Sequence, residues 1–189
     1  MPEYADDLNR VLNQPLLVEF KRTCEQKERE AGFLRDFHRD LLLLQSFDLN
    51  TFRCSGWTVL RHDNVKSYRS YDETSDWPYP AFKRCRIRLT AVPAIDLRSM
   101  TAAIRSAAKC APLFTVYREK KYPGECWIGR RPRCRSGKLT FETISPMAEW
   151  DGDYTIQLKD ITKLVIGDGY THALAIAAGI ENPAPLTKP

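Results

Sequence analysis

The sequence predicts a mainly β protein with short helices, arranged as two tandem five-stranded small barrels, each preceded by an N-terminal helix. Three observations carry that expectation. The chain aligns with itself at an offset of 97 residues: Pro15 falls on Pro112, Gly32 on Gly129, Leu42 on Leu139, Leu44 on Phe141 and Phe47 on Ile144. After a one-residue slip, Gly56 falls on Gly152 and Val65 on Ile161, as a change of loop length between two folded repeats produces. Apolar and polar residues alternate in short runs bounded by turn formers. In each repeat a helix precedes five such runs, and a short antiparallel sheet of this kind is expected to curl closed, which removes its exposed edges.

In the first repeat, Glu3 to Asn13 reads as an amphipathic helix with Tyr4, Leu8, Val11 and Leu12 on one face, and Pro15 stops it. Leu16 to Arg22 alternates with Leu16, Val18 and Phe20 inward. A charged connector, Thr23 to Glu30, leads to the strand Gly32–Phe37, the turn His38-Arg39-Asp40 and the nearly continuous apolar strand Leu41–Phe47. Strands Trp57–Arg61 and Val65–Tyr71 follow, separated by the turn tripeptide His62-Asp63-Asn64.

The second repeat opens with a helix from Asp96, read as its N-cap, to Cys110. Strands are expected at Leu113–Glu119, Cys126–Arg131, Lys138–Ser145, Asp153–Leu158 and Ile161–Ile166. A final helix, Tyr170–Ala178, has no counterpart in the first repeat, and Gly179 closes it. Between the repeats, Asp72 to Pro80 reads as a turn-rich linker, and Phe82–Val92 alternates basic with apolar residues as an additional strand would. The division is then 1–73 for the first barrel, 74–94 for the linker, 95–180 for the second barrel with its C-terminal helix, and 181–189 for a loose polar tail.

Composition bounds the function classes. At 43% hydrophobic and 28% charged residues the chain is too apolar for disorder and too charged for a membrane protein. No apolar run approaches the ~18 residues of a spanning helix, and the acidic start MPEYADDLNR is unlike a secretory n-region. A cytoplasmic setting with reduced thiols is the expectation for its six cysteines, which form no C-x-x-C pair, and the three scattered histidines supply no structural zinc spacing. No metal or other cofactor is expected. The chain has no G-x-S-x-G, no phosphate loop and no H-E-x-x-H. The carboxylates of Glu149–Asp153 lie at an expected loop and strand start, where turn chemistry accounts for Asp-Gly. The chain is expected not to be an enzyme.

Two segments of the first repeat resemble the motifs of the Sm-like (LSm-type) proteins, which are associated with RNA. Gly32 to Leu43 has the glycine-containing strand, terminal Asp, turn and apolar strand of the first Sm motif. Val59-Leu60-Arg61-His62-Asp63-Asn64-Val65 resembles the second motif, with His62 in place of the glycine after the arginine. The resemblance covers most of Tyr4–Tyr71 and, through the internal repeat, most of Asp96–Ile166. It implies an N-terminal helix packed on a bent five-stranded barrel, and association of barrels edge to edge by strand pairing. It also implies a base-holding position formed by His38 for stacking, Asp40 for reading the base edge and Arg61 for the opposite face. Asp40 stands where the motif has Asn and lacks an amide donor. In the second repeat, Gln157-Leu158-Lys159 replaces the arginine motif, so the pocket is absent there. The segment Asp160-Ile161-Thr162-Lys163 followed by the final helix resembles small bacterial proteins in which such repeats end in a D-I-T-K/R segment and a helix, and that likeness implies no activity.

A further candidate is the basic run Arg130, Arg131, Arg133, Arg135 and Lys138, read as a hairpin loop without an acidic residue. Its first-repeat counterpart mixes signs, and a concentrated positive loop suits phosphate contacts. Two functions are therefore expected: a non-catalytic binding and assembly protein that pairs with a protein partner or with itself, or an RNA-binding module using that basic loop. No membrane and no small-molecule substrate is expected.

Overall fold

The computed structural model describes residues 5–14, 16–24, 29–71, 76–85 and 87–180. The Pro15 helix stop, residues 25–28 of the charged connector, the start of the linker and the tail after residue 180 lie outside them. In chain order the elements are α1 (Ala5–Asn13), β1 (Leu17–Arg22), β2 (Arg29–His38), β3 (Leu41–Asp48), β4 (Arg53–Arg61), β5 (Val65–Ser70) and α2 (Pro78–Cys85). There follow α3 (Met100–Cys110), β6 (Phe114–Tyr117), β7 (Cys126–Arg135), β8 (Lys138–Ile144), β9 (Trp150–Gln157), β10 (Lys163–Ile166) and α4 (Gly169–Ala177).

The ten strands are antiparallel and form one sheet in the order β5-β1-β2-β3-β4-β10-β6-β7-β8-β9. The first five positions and the last five follow the same permutation, and the pairings match residue by residue. Phe33 opposes Gln45 and Arg130 opposes Glu142; Leu43 opposes Val59 and Thr140 opposes Thr155. Single 3₁₀ turns follow β4 and β9 at His62–Asn64 and Leu158–Asp160. Gly56 and Gly152 both have positive φ, 91° and 88°, where the fourth strand of each repeat bends.

Two closed barrels were expected; the sheet is open instead. The outer edge of β4 is given to β10, with Trp57 opposite Ile166 and Leu60 opposite Lys163, so one continuous ladder joins the repeats. Among the described residues the terminal strands β5 and β9 each pair on one side alone, with β1 and β8 respectively.

The run Leu41–Leu44 is continuously apolar because both faces of its strand are covered. Leu42 and Leu44 join a core with Leu8, Val11, Phe20 and Phe33 beneath α1. Leu41 and Leu43, with Trp57 and Val59 of β4, join Ile104, Phe114, Val116 and Phe141 of the second repeat. The two repeats therefore share a core. The positions equivalent to Leu41, Leu43, Trp57 and Val59 are Lys138, Thr140, Asp153 and Thr155, so the same face of the second repeat is polar. The sheet stops stacking there because nothing apolar remains to bury, as at the polar outer face of a capping repeat.

The linker corrects the expected extra strand. Pro78 and Pro80 suit the first turn of a helix, and α2 buries Tyr79 and Phe82, three residues apart, with Phe82 against Phe33 and Phe47 and Tyr79 against Phe82. No strand is assigned over residues 87–98; that segment crosses between the cores, with Ile87 and Leu89 on one and Ile95 and Leu97 in the other. Midway, Thr90 meets the fully buried Gln45, whose Nε2 donates to Thr90 Oγ1 at 3.0 Å while its Oε1 accepts from the Thr90 amide. Helix α3 starts later than expected, because Ser99 rather than Asp96 caps it, accepting from the Ala102 amide at 3.1 Å. Asp168 caps α4, accepting from the Thr171 amide. Among the described residues no helix is long and apolar enough to cross a membrane.

Candidate functional site

His38, Asp40 and Arg61 sit at neighbouring strand ends but do not form one pocket. Arg61, at the end of β4, points across the junction: its Nε donates to the Ile161 carbonyl at 2.7 Å and its Nη2 to the Leu158 carbonyl at 2.9 Å. Its guanidinium thus satisfies backbone acceptors around the second repeat's 3₁₀ turn. Asp40 and Arg61 both line a cleft of about 650 Å³ whose far wall is Ser99, Met100, Gln157 and Lys159. His38 is exposed and lies outside that lining, so the stacking partner expected opposite Arg61 is not brought to it.

The basic run is strand rather than loop, because β7 extends to Arg135 and turns at Ser136-Gly137 into β8. Acidic partners come from β8 beside it and from β9 beyond β8. Arg130 Nε lies 2.8 Å from Glu142 Oε2, with its guanidinium carbon 3.6 Å from the Trp150 ring centroid. Arg131 shares Glu142, and Arg133 donates to Asp153. These partners could be inferred only once the order β7-β8-β9 was known. The Arg130 hydrogen bond holds the Glu142 carboxyl below its ordinary range. Arg135 and Lys138 oppose each other across the turn and have no acidic partner among the described residues. The carboxylate-rich stretch Glu149–Asp153 likewise lies mostly in β9 rather than in a loop.

Sequence reasoning missed a buried ionic cluster at the junction of the repeats. Arg22 ends β1 and Glu119 follows β6 at the equivalent position, and the two meet at 2.7 Å with 2% exposure each. Lys163 donates to Glu30 and lies 3.6 Å from Glu119, while Thr162 Oγ1 also donates to Glu119. Burial pushes the Glu119 carboxyl upward, but Arg22, Thr162 and Lys163 outweigh it and hold the group below its ordinary value. Lys163 is held above its ordinary value by Glu30 and Glu119 despite its burial. Opposite charges balance within the cluster, and its geometry is that of a structural lock. The neighbouring Cys24 thiol is pushed up by burial, which disfavours the reactive thiolate. All six cysteines are free thiols. Among the described residues no three metal-ligating side chains gather into a possible ion site.

The other surface feature is the exposed edge of β9. Asp151, Asp153 and Tyr154 are exposed along it, and beside it a cleft of about 420 Å³ is lined by Trp127, Tyr154 and Tyr170. The Trp127 and Tyr154 rings stack with centroids 5.9 Å apart. No family model, curated protein or solved structure matches this chain.

Proposed function

We propose that this chain is a non-catalytic binding and assembly protein built on two tandem Sm-like units, with its free strand edges as the binding surfaces. One observation carries the reading: the repeats are joined by adding the first strand edge to the second, through the β4–β10 ladder. Among the described residues, edges of the same two kinds remain unpaired at β5 and β9. Main-chain hydrogen bonds along such an edge supply affinity, and the alternating side chains supply specificity. The matching strand permutation of the two halves supports the Sm-like reading, and the shared core explains why they are carried in one chain.

The test is purification of the tagged protein from its own cells with and without nuclease, followed by native mass spectrometry. A stoichiometric protein assembly that survives nuclease and is lost in Thr155→Pro, which blocks the edge of β9, is the expected result. A monomer free of protein and nucleic acid overturns the reading.

The second reading is binding of RNA, favoured by the polar outward face of the second repeat, where Arg135 and Lys138 have no acidic partner among the described residues. Here a mixed single-stranded RNA pool is titrated at rising salt. Micromolar binding that weakens steeply with salt, and is lost when Arg131, Arg133 and Arg135 are reversed, supports it; no binding at ~50 mM salt sinks it.

A further inference from the structure

We propose that the aromatic cleft beside β9 binds a methylated ammonium group, carried either by a free solute such as choline or by a trimethylated lysine of a peptide. The site adds a ligand to the assembly reading and does not depend on it.

Three rings from separate elements meet at this end of the second repeat. Trp127 comes from β7, Tyr154 from β9 and Tyr170 from the first turn of α4. All three line the cleft, whose volume of about 420 Å³ falls in the range of roughly 300–1,000 Å³ common to small-molecule sites. The Trp127 and Tyr154 ring planes differ by 7°. Tyr154 is 37% exposed and Tyr170 55%, so both leave aromatic surface to solvent that a ligand would cover.

The cleft is acidic in a basic chain. Asp151 and Asp153 line it, and no Lys, Arg or His does, although the chain carries 29 Lys and Arg against 24 Asp and Glu. The Asp151 carboxylate has no partner among the described residues. Asp153 meets Arg133 in an exposed pair, which contributes little and can be exchanged. Carboxylates beside ring faces draw in a cation, because the face of an aromatic ring is itself negative. The chain uses this attraction next door: the Arg118 guanidinium carbon lies 4.5 Å from the Trp127 ring centroid and 4.4 Å from that of Tyr122. Tyr154 and Tyr170 hold no such cation among the described residues.

The rest of the lining selects a weakly hydrated cation. Ile128, Ile144 and Pro146 form part of the wall. The nearby hydroxyls are engaged locally, Thr143 Oγ1 donating to the Gly152 carbonyl at 3.1 Å and Ser145 Oγ accepting from the Met147 amide at 3.2 Å. A bare ammonium would lose its water shell there for few acceptors. A methylated ammonium needs no hydrogen bond, presents an apolar surface to the rings, and has its charge balanced by the two aspartates.

An NMR titration of the full chain at constant ionic strength tests this, with thermal melts confirming that each variant is folded. Choline is expected to give saturable shifts at the Trp127 indole N–H and the amides of residues 151–154, with a dissociation constant on the order of 1 mM. Its neutral isostere 3,3-dimethylbutanol should bind about tenfold or more weakly. Tyr154→Ala, Tyr170→Ala and Asp151→Asn/Asp153→Asn should each weaken choline about tenfold, and Tyr154→Phe should retain it. A short peptide with a trimethylated lysine separates the two sources: binding about tenfold tighter than choline assigns the group to a peptide, and equal binding assigns it to a free solute. No saturable shift with either probe up to ~50 mM overturns the inference. So does equal binding of the neutral isostere or of the unmethylated peptide, and so does choline binding that the aromatic and aspartate variants all retain.

Discussion

Arg22 Nη2 lies 2.7 Å from Glu119 Oε2, and the two residues are each other's counterparts under the 97-residue offset. The same place in two repeats thus carries opposite charges that meet where the repeats join. Duplication gave both halves one backbone, and divergence at this position made them complementary rather than alike.

Removing one partner leaves an uncompensated buried charge, which typically costs about 3–5 kcal/mol, whereas replacing both with apolar groups is often nearly neutral. Glu119→Leu is expected to destabilise by that amount, and Arg22→Met/Glu119→Leu to recover most of it. Urea denaturation of the two variants checks this; equal losses in both would show that the pair is not coupled.

The pH dependence follows from the same cluster. Glu119 titrates below its ordinary 4.5 in the folded chain, so its contribution is complete above about pH 4.5 and is lost as pH falls toward the folded value. Lys163 titrates above its ordinary 10.5, so its contribution is complete below about pH 10.5 and is lost as pH rises through the folded value. The contribution of these two groups should form a plateau between these limits. Glu119→Gln should flatten the acid limb and Lys163→Met the alkaline one, read as unfolding free energy against pH.

How far the sequence could be read depends on which force acts at each position. The strands of both repeats were legible because burial on one face leaves a two-residue period, and the offset was legible because packing repeats with the backbone. Closure into barrels was misjudged because sequence periodicity does not say which strand an edge will meet. The unbroken run Leu41–Leu44 held the clue, since a strand apolar on both faces needs a second layer, here the second repeat. The linker misled for a related reason: FKRCRIRL alternates at period two, but Tyr79 and Phe82 bury at helical spacing. At the candidate sites, the basic residues were visible but their neutralising partners were not, because Glu142 and Asp153 are neighbours only through strand pairing. Arg61 was found, and its carbonyl acceptors lie 97 and 100 residues further on.

The shared core predicts that the repeats unfold together. Trp57 belongs to the first repeat but is 1% exposed within the second repeat's core. Trp57→Ala should cost about 3–5 kcal/mol. Hydrogen exchange should show protection falling in β6 and β10 as well as in β3 and β4. Loss confined to the first repeat would mean that the two halves are independent.

Gly32 and Gly129 provide the sharpest steric test. Neither has an unusual φ, yet a Cβ at Gly32 would lie 2.6 Å from the Gln45 carbonyl oxygen, and one at Gly129 would lie 2.2 Å from that of Glu142. Both contacts are with backbone of the neighbouring strand, which cannot rotate away, so the bent second strand of each repeat must open its ladder to accept a side chain. Gly32→Ala and Gly129→Ala are each expected to cost about 1–3 kcal/mol or more, the range for forcing extra volume into packed structure. Gly129→Ala should cost more, because its Cβ would also lie 2.6 Å from the Phe141 ring. Gly124 has open space around it but a φ of 78°, so Gly124→Ala isolates the backbone cost without the clash, at roughly 1 kcal/mol. Thermal denaturation of the three variants should rank them Gly129→Ala, Gly32→Ala, Gly124→Ala from least to most stable. If Gly124→Ala were the least stable, the close approach of the second and third strands would not be what requires glycine at both equivalent positions.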